Sequence, residues 1–160
     1  MKKLLLGLAV VGTLAVPGLA SAQVVAGPSV AFHEDADFGI GAFVNFPLEQ
    51  FHESLEMTVS FGYFFPDSPA GVDRSYWEIN GDVIYNFTVA ADAPASPFVL
   101  GGLNIARASN ATANTDIGLN VGGGVVFPSA SFEPSVGVKI EIGGSDPFVL
   151  FAGLGFPVGT

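Results

Sequence analysis

Between Tyr76 and Thr88 the sequence reads YWEINGDVIYNFT, and its side chains alternate in kind. Trp77, Ile79, Gly81, Val83, Tyr85 and Phe87 occupy the odd positions. Tyr76, Glu78, Asn80, Asp82, Asn86 and Thr88 occupy the even ones, with Ile84 the single apolar exception. Successive side chains of a β-strand point to opposite faces, so this stretch is a strand with one greasy and one hydrophilic face. A helix would scatter the same residues round its cylinder. The stretch is long for a strand, where about five or six residues are usual. What it constrains is the kind of fold: the chain must give one face water or polar neighbours and the other an apolar medium.

The same pattern recurs. Val24 to His33 predicts a first strand, with Val30 and Phe32 on one face. Phe38, Ile40, Ala42, Val44 and Phe46 define the greasy face of a second. Leu55, Met57, Val59, Phe61, Tyr63 and Phe65 define a third, opposite Glu56, Thr58, Ser60 and Gly62. Strand five, Phe98 to Arg107, has an ambiguous phase; Val99, Leu103 and Ile105 are assigned to the greasy face because the other choice puts Asn104 there. Strands six (Asp116 to Phe127), seven (Phe132 to Ile142) and eight (Phe148 to Phe156) alternate as clearly. Pro, Gly, Asp and Asn clusters separate the segments, as turns require. No segment after residue 22 has helical periodicity. Eight alternating segments of about ten residues predict an all-β, eight-stranded antiparallel up-and-down transmembrane β-barrel.

Residues 1–22 read differently. Lys2 and Lys3 precede an apolar run from Leu4 to Val16, Pro17-Gly18 break it, and Ala20-Ser21-Ala22 supplies small residues. That is the layout of a secretory signal cut between Ala22 and Gln23. The run is shorter than the roughly 20 residues of a spanning helix. The expected organisation is a signal at 1–22 and a barrel domain at 23–160. The remainder holds Arg74, Arg107 and Lys139 against 15 acidic residues, a formal −12. So acidic a chain repels nucleic acid. The chain has no cysteine, which removes disulfides, thiolate metal sites and a cysteine nucleophile.

The polar face indicates which side meets water. It is rich in Gly and Ser (Gly39, Gly41, Ser60, Gly62, Gly122, Gly124, Gly137, Gly153), whereas a solvated sheet favours Thr, Lys, Glu and Arg. A narrow eight-stranded barrel has little interior volume, and small residues leave room for a few large ones. The greasy face carries no charge from strand two to strand eight once Arg107 is assigned to the lumen. Its aromatics gather near strand ends. Phe46, Phe87, Phe127 and Phe156 lie beside one set of turns; Phe38, Tyr63, Trp77 and Phe148 lie beside the other, and Tyr85 sits inside the first set. Such girdles belong at the two interfaces of a membrane.

The segments SLEMTVSFGYFFPD, YWEINGDVIYNF, SPFVLGGLNIAR, TDIGLNVGGGVVF and PFVLFAGLGFP, behind a signal, resemble the small eight-stranded outer-membrane β-barrel family of Gram-negative-type bacteria, which includes OmpA-like and OmpX-like barrels. The resemblance covers the chain after the signal and extends to no peptidoglycan-binding domain. It implies an outer-membrane location, contact with outer-membrane lipid, and folding by the barrel-assembly machinery. It also implies a terminal aromatic signal, for which Phe156 is a displaced version, since the chain continues to Thr160.

Glu56, Glu78, Asp82, Lys139, Glu141 and Arg107 form the expected polar lumen cluster. Its bland role, a salt-bridged plug that fixes register, outweighs a conducting pore, because side chains fill an eight-stranded interior. Acidic loop residues Glu34, Asp35, Asp37, Asp67, Asp73, Asp116 and Asp146 read as a solvated rim; no calcium spacing is present. His33 and His52 fall near opposite ends and read as interface residues, with no catalytic set, metal site or cofactor expected. The expected role is structural, in envelope integrity, or surface interaction through the Pro66–Asp73 and Ala108–Asn114 loops, by a monomer that is not an enzyme. Two rivals stand beside it: a secreted soluble β-barrel with an apolar ligand inside, and a lipid A-modifying barrel enzyme.

Overall fold

The computed structural model describes residues 23–67, 74–90, 92–109, 113–129, 131–143 and 146–158. The signal and its Ala22–Gln23 cleavage site, and the tips of the two loops named for surface contact, lie outside the described residues.

Eight strands follow one another: β1 (Val24–His33), β2 (Asp37–Pro47), β3 (Leu55–Phe64), β4 (Ser75–Asn86), β5 (Ser96–Ser109), β6 (Ala113–Val126), β7 (Glu133–Ile142) and β8 (Phe148–Val158). Each pairs antiparallel with its sequence neighbours, and β8 closes onto β1. Closure satisfies the strand edges, which hydrocarbon demands because it offers no hydrogen bonds. Ten residues at about 3.3 Å each, tilted by about 40°, reach roughly 25 Å, the height of a lipid-facing band. The base of the barrel is the end where β1 begins; the rim is the end where it finishes.

The alternation resolves in one direction throughout. Phe32, Phe38, Ile40, Phe61, Ile79, Val83, Leu119, Ile140 and Leu150 are exposed on the outside, while His33, Phe64, Glu78, Asn80, Asp82, Asn120 and Lys139 are buried inside. The greasy face is therefore the outer one, which overturns the soluble arrangement with a greasy interior. In β5 Leu103 is 56% exposed and Asn104 only 4%. The phase is as expected there, and Ile84 is explained as well: it packs inside with Phe98 and Leu100 as a small apolar core.

Glycine makes room for the few large lumen side chains. A Cβ on Gly39 would sit 2.6 Å from Cδ1 of Phe64, and one on Gly153 would sit 2.7 Å from Cε1 of Phe43. Gly124 likewise faces the Phe98 ring at 2.7 Å. The glycine-rich inner face is thus the mould of its aromatics. Gly39→Val forces Phe64 or the β2 backbone to move and lowers stability by about 1–3 kcal/mol, measurable as a shift in urea midpoint in lipid vesicles; an unchanged midpoint would mean the Phe64 seat is loose.

Two irregularities shape the rim and the seam. β5 and β6 pair as far as Ser109↔Ala113, but the β6–β7 ladder begins only at Leu119↔Ile142. The β5–β6 hairpin therefore stands above the β7 side by about six residues, roughly 20 Å of strand. The β1–β8 ladder is interrupted at Gly27-Pro28, where proline has no N–H to give. At the β1–β2 connection Asp37 takes a left-handed backbone, φ 60, a conformation that Asp tolerates better than most residues.

Candidate functional site: a polar plug under the rim

The register brings one row of the inner face together. Glu78 pairs across with Gly62 and Ala106, Asp82 with Thr58 and Gly102, Lys139 with Gly122, and Glu141 with Asn120. Each large polar residue has at least one small or neutral cross-strand partner, so side chains from β4, β6 and β7 can meet on the barrel axis.

Lys139 is the hub. Its Nζ donates to Glu78 Oε1 at 3.2 Å and to Asn80 Oδ1 at 2.8 Å, and forms an ion pair with Glu141 Oε1 at 2.7 Å. Two amides extend the network. Asn80 Nδ2 donates to Glu78 Oε1 at 3.0 Å and to Ser60 Oγ at 3.2 Å. Asn120 Nδ2 donates to Asp82 Oδ1 at 2.8 Å and to Asn80 Oδ1 at 2.9 Å. Amide N–H groups thus supplement the single ammonium in solvating three carboxylates. With one ammonium among these carboxylates, neutral donors meet part of the cost of burying them.

An aromatic cap closes the plug toward the rim. His33, 1% exposed, lies against Phe64 and Tyr76, with ring centroids 5.4 and 4.9 Å away. Its Nδ1 accepts the backbone N–H of Asp35 at 3.0 Å. Nδ1 therefore holds a lone pair, and the proton of the neutral ring is on Nε2. That Nε2 lies 3.3 Å from the Tyr76 hydroxyl and 3.6 Å from Glu141 Oε2. The arrangement is an anchored N–H donor rather than a poised base.

Of the expected cluster, Glu78, Asp82, Lys139 and Glu141 converge. Glu56 does not join them. It sits toward the base, where Asn86 Nδ2 donates to its Oε1 at 3.0 Å. Arg107 is on the outside, exposed, in register with Trp77 and Thr115. The correction follows from parity: Leu103 and Ile105 face outward, so Arg107, two residues on, does too. His33 is a second correction, being buried in the lumen rather than at an interface. Its parity with Ser29 and Ala31, opposite Val30 and Phe32, is the signal that marks it. Tyr76 and Asn120 were not singled out, because neutral polar residues carry no charge to draw notice. The aromatics sit at the two ends as described: Phe38, Tyr63 and Phe148 are exposed at the rim, and Tyr85, Phe87, Phe127 and Phe156 at the base. Phe46 and Trp77 are half-buried in the outer wall. Phe61 and Trp77 lie tilted to each other with ring centroids 6.4 Å apart, and Tyr85 meets Phe87 edge-on at 5.3 Å.

Ligand atoms of His33, Glu78 and Glu141 lie within 4.8 Å of one another. Their arrangement does not fit a metal ion. His33 presents Nε2–H rather than a lone pair, and the Lys139 ammonium holds the cation position between the two carboxylates.

No family model matches the chain, and no curated protein matches it either. Solved structures do. The N-terminal β-barrel domain of Pseudomonas aeruginosa OprF aligns with a TM-score of 0.67 at 16% identity, over 85% of this chain and 97% of that one. Neisserial surface protein A aligns at 0.64 and 18%, over 86% and 97%. Ail, the attachment invasion locus protein of Yersinia pestis, aligns at 0.50 and 15%, over 85% and 95%. Identities this low speak for the fold, and the fold agrees in strand number, closure and pairing. This chain has the fold of the small eight-stranded outer-membrane β-barrels.

Proposed function

We propose that the protein is an exported outer-membrane barrel with a structural or surface-interaction role, non-enzymatic and without an open pore. The observation that carries this reading is the pairing of an apolar outer wall with a plugged lumen. From Phe32 and Phe38 at the rim to Phe127 and Phe156 at the base the exposed wall is apolar, apart from Arg107 and Thr115 near the rim, which suits outer-membrane lipid as its partner. Inside, His33, Phe64, Tyr76, Glu78 and Lys139 occupy the axis beneath the rim. An ion crossing there would have to break the buried ion pairs and displace the aromatic cap. His33 is committed to Asp35 and Tyr76, which speaks against its use as a general base on lipid. A monomer folded by the barrel-assembly machinery, after removal of the signal at Ala22–Gln23, completes the reading.

The tall β5–β6 hairpin supports a surface role. Among the described residues none pairs with Asn114–Asp116 on the β7 side, and an unpaired strand edge is a template for another extended chain. Ile117, outward on the same strand, is 69% exposed.

The test is envelope fractionation of expressing cells, with migration compared between unboiled and boiled samples on SDS gels. The expected result is recovery with the outer membrane and a band that shifts on boiling. Recovery in the detergent-free soluble fraction, with no shift, would sink the reading.

A further inference from the structure

Below the plug the lumen is not filled. A cavity of about 120 Å³ runs down from Glu78, Asn80 and Asp82 between walls that include Ile84, Phe98 and Phe151. A second space nearer the base is lined by Asn45, Glu53, Ser54, Glu56, Asn86 and Glu133, and Asn45, Glu56, Asn86 and Glu133 line both. An apolar cavity of roughly 150 Å³ is known to take a molecule the size of benzene, so this space suits a chain of a few carbons.

Carboxyl groups line both ends of the cavity. Asp82 and Glu78 line the inner end, and Glu56 and Glu133 line the end nearer the base. Among the described residues Lys139 is the only Lys or Arg on the cavity wall, and it is already bonded to Glu78, Asn80 and Glu141. Glu78 is 4% exposed, yet its Oε2 has no hydrogen-bond partner. A buried carboxylate oxygen left unpaired is costly, and here it belongs to a side chain that lines an accessible space. In the β3–β4 register Asp82 faces Thr58 and Ile84 faces Glu56, so Asp82 and Glu56 are diagonal neighbours on one face, about 7–8 Å apart.

We propose that this cavity binds a short organic dication, an alkane diamine of four or five carbons. One ammonium sits at Glu78 and Asp82 and the other at Glu56 and Glu133, with the methylene chain against Phe98 and Phe151. Carboxyl groups at two ends joined by an apolar wall select for two cations joined by an apolar chain, because an arriving ammonium favours their ionised form. A compact hydrated ion matches the ends but not the wall, and an uncharged alkane matches the wall but not the ends. The aromatic rings add a further preference for an ammonium passing their faces.

The experiment is calorimetric titration of the folded barrel in detergent micelles with 1,5-diaminopentane, at constant ionic strength. Saturable one-to-one binding is expected, with pentylamine and Mg²⁺ each at least tenfold weaker. The pair Glu56→Gln and Glu133→Gln, placed together, should weaken the diamine at least tenfold while the boiling-dependent gel shift persists. If that pair fails to fold, Thr58→Phe, which fills the cavity and leaves the carboxylates in place, must abolish binding. Absence of saturable heat, equal binding of Mg²⁺, or full affinity in either variant overturns the proposal.

Discussion

Replacing Lys139 by methionine lowers the unfolding free energy by about 3–5 kcal/mol, the usual cost of breaking a buried ion pair from one side. The expected loss comes less from the bonds removed than from the charges left behind. Lys139 is the one ammonium among Glu78, Glu141 and Asp82, and methionine of similar length fills the space without answering those carboxylates. Urea unfolding in lipid vesicles, followed by tryptophan fluorescence, measures the effect. Neutralising the partners as well, with Glu78→Gln and Glu141→Gln beside Lys139→Met, should return much of the loss, because an uncharged set no longer leaves a buried anion without its cation. A single Lys139→Met variant as stable as the parent would show that the plug contributes nothing to stability. The triple variant also separates stability from specificity: a buried polar network replaced whole is often neutral, and the function left to it is to hold β4, β6 and β7 in one register.

Val83→Arg is expected to cost about 2 kcal/mol or more, the penalty of a cation inside the lipid-facing band of a barrel wall. Val83 faces outward, 46% exposed, on the base-side half of β4 and inside the Tyr85 girdle, opposite Met57 and Gly101. The protein carries its own control. Arg107 is on the same outer wall, paired with Trp77, six residues nearer the rim. Six residues are about 20 Å of tilted strand, enough to separate the rim interface from the lipid-facing band. Arg107→Ala should therefore change stability by less than about 1 kcal/mol, since a rim arginine can reach the headgroups. Equal effects at Val83 and Arg107 would mean the wall has no depth dependence and does not face lipid.

The two faces of Tyr76–Thr88 were legible because strand alternation is local; eight repeats of it fit both a soluble and a membrane architecture, and the small residues of the polar face favoured the second. Strand ends were legible to within a few residues, as at β5, which extends to Ser96 and Ser109 beyond the expected Phe98 to Arg107. The interior was legible only in part. Glu78, Asp82 and Glu141 could be assigned to the lumen by parity, but parity says nothing of height. That is why Glu56, equally inward, lies with Asn86 near the base and not with Lys139. Height depends on register between strands, which the loops set and no single strand encodes. Arg107 failed for a different reason: its charge argued for the lumen while its spacing from Leu103 and Ile105 argued for the wall, and the spacing governs because the backbone leaves no choice. His33 stands at a strand end, where its residue type suggested an interface, while its parity against Val30 and Phe32 marks the lumen.

Trp77 offers the most direct test of which face meets lipid, because it is the only tryptophan in the chain and stands in the outer wall beside Arg107. Its fluorescence is to be recorded with the barrel in vesicles whose acyl chains carry bromine at defined depths, and again with iodide in the aqueous phase. A lipid-facing rim aromatic gives a blue-shifted emission, quenched most strongly by bromine closest to the headgroups and little by iodide. Emission unaffected by any brominated lipid and readily quenched by iodide would contradict the membrane-facing wall.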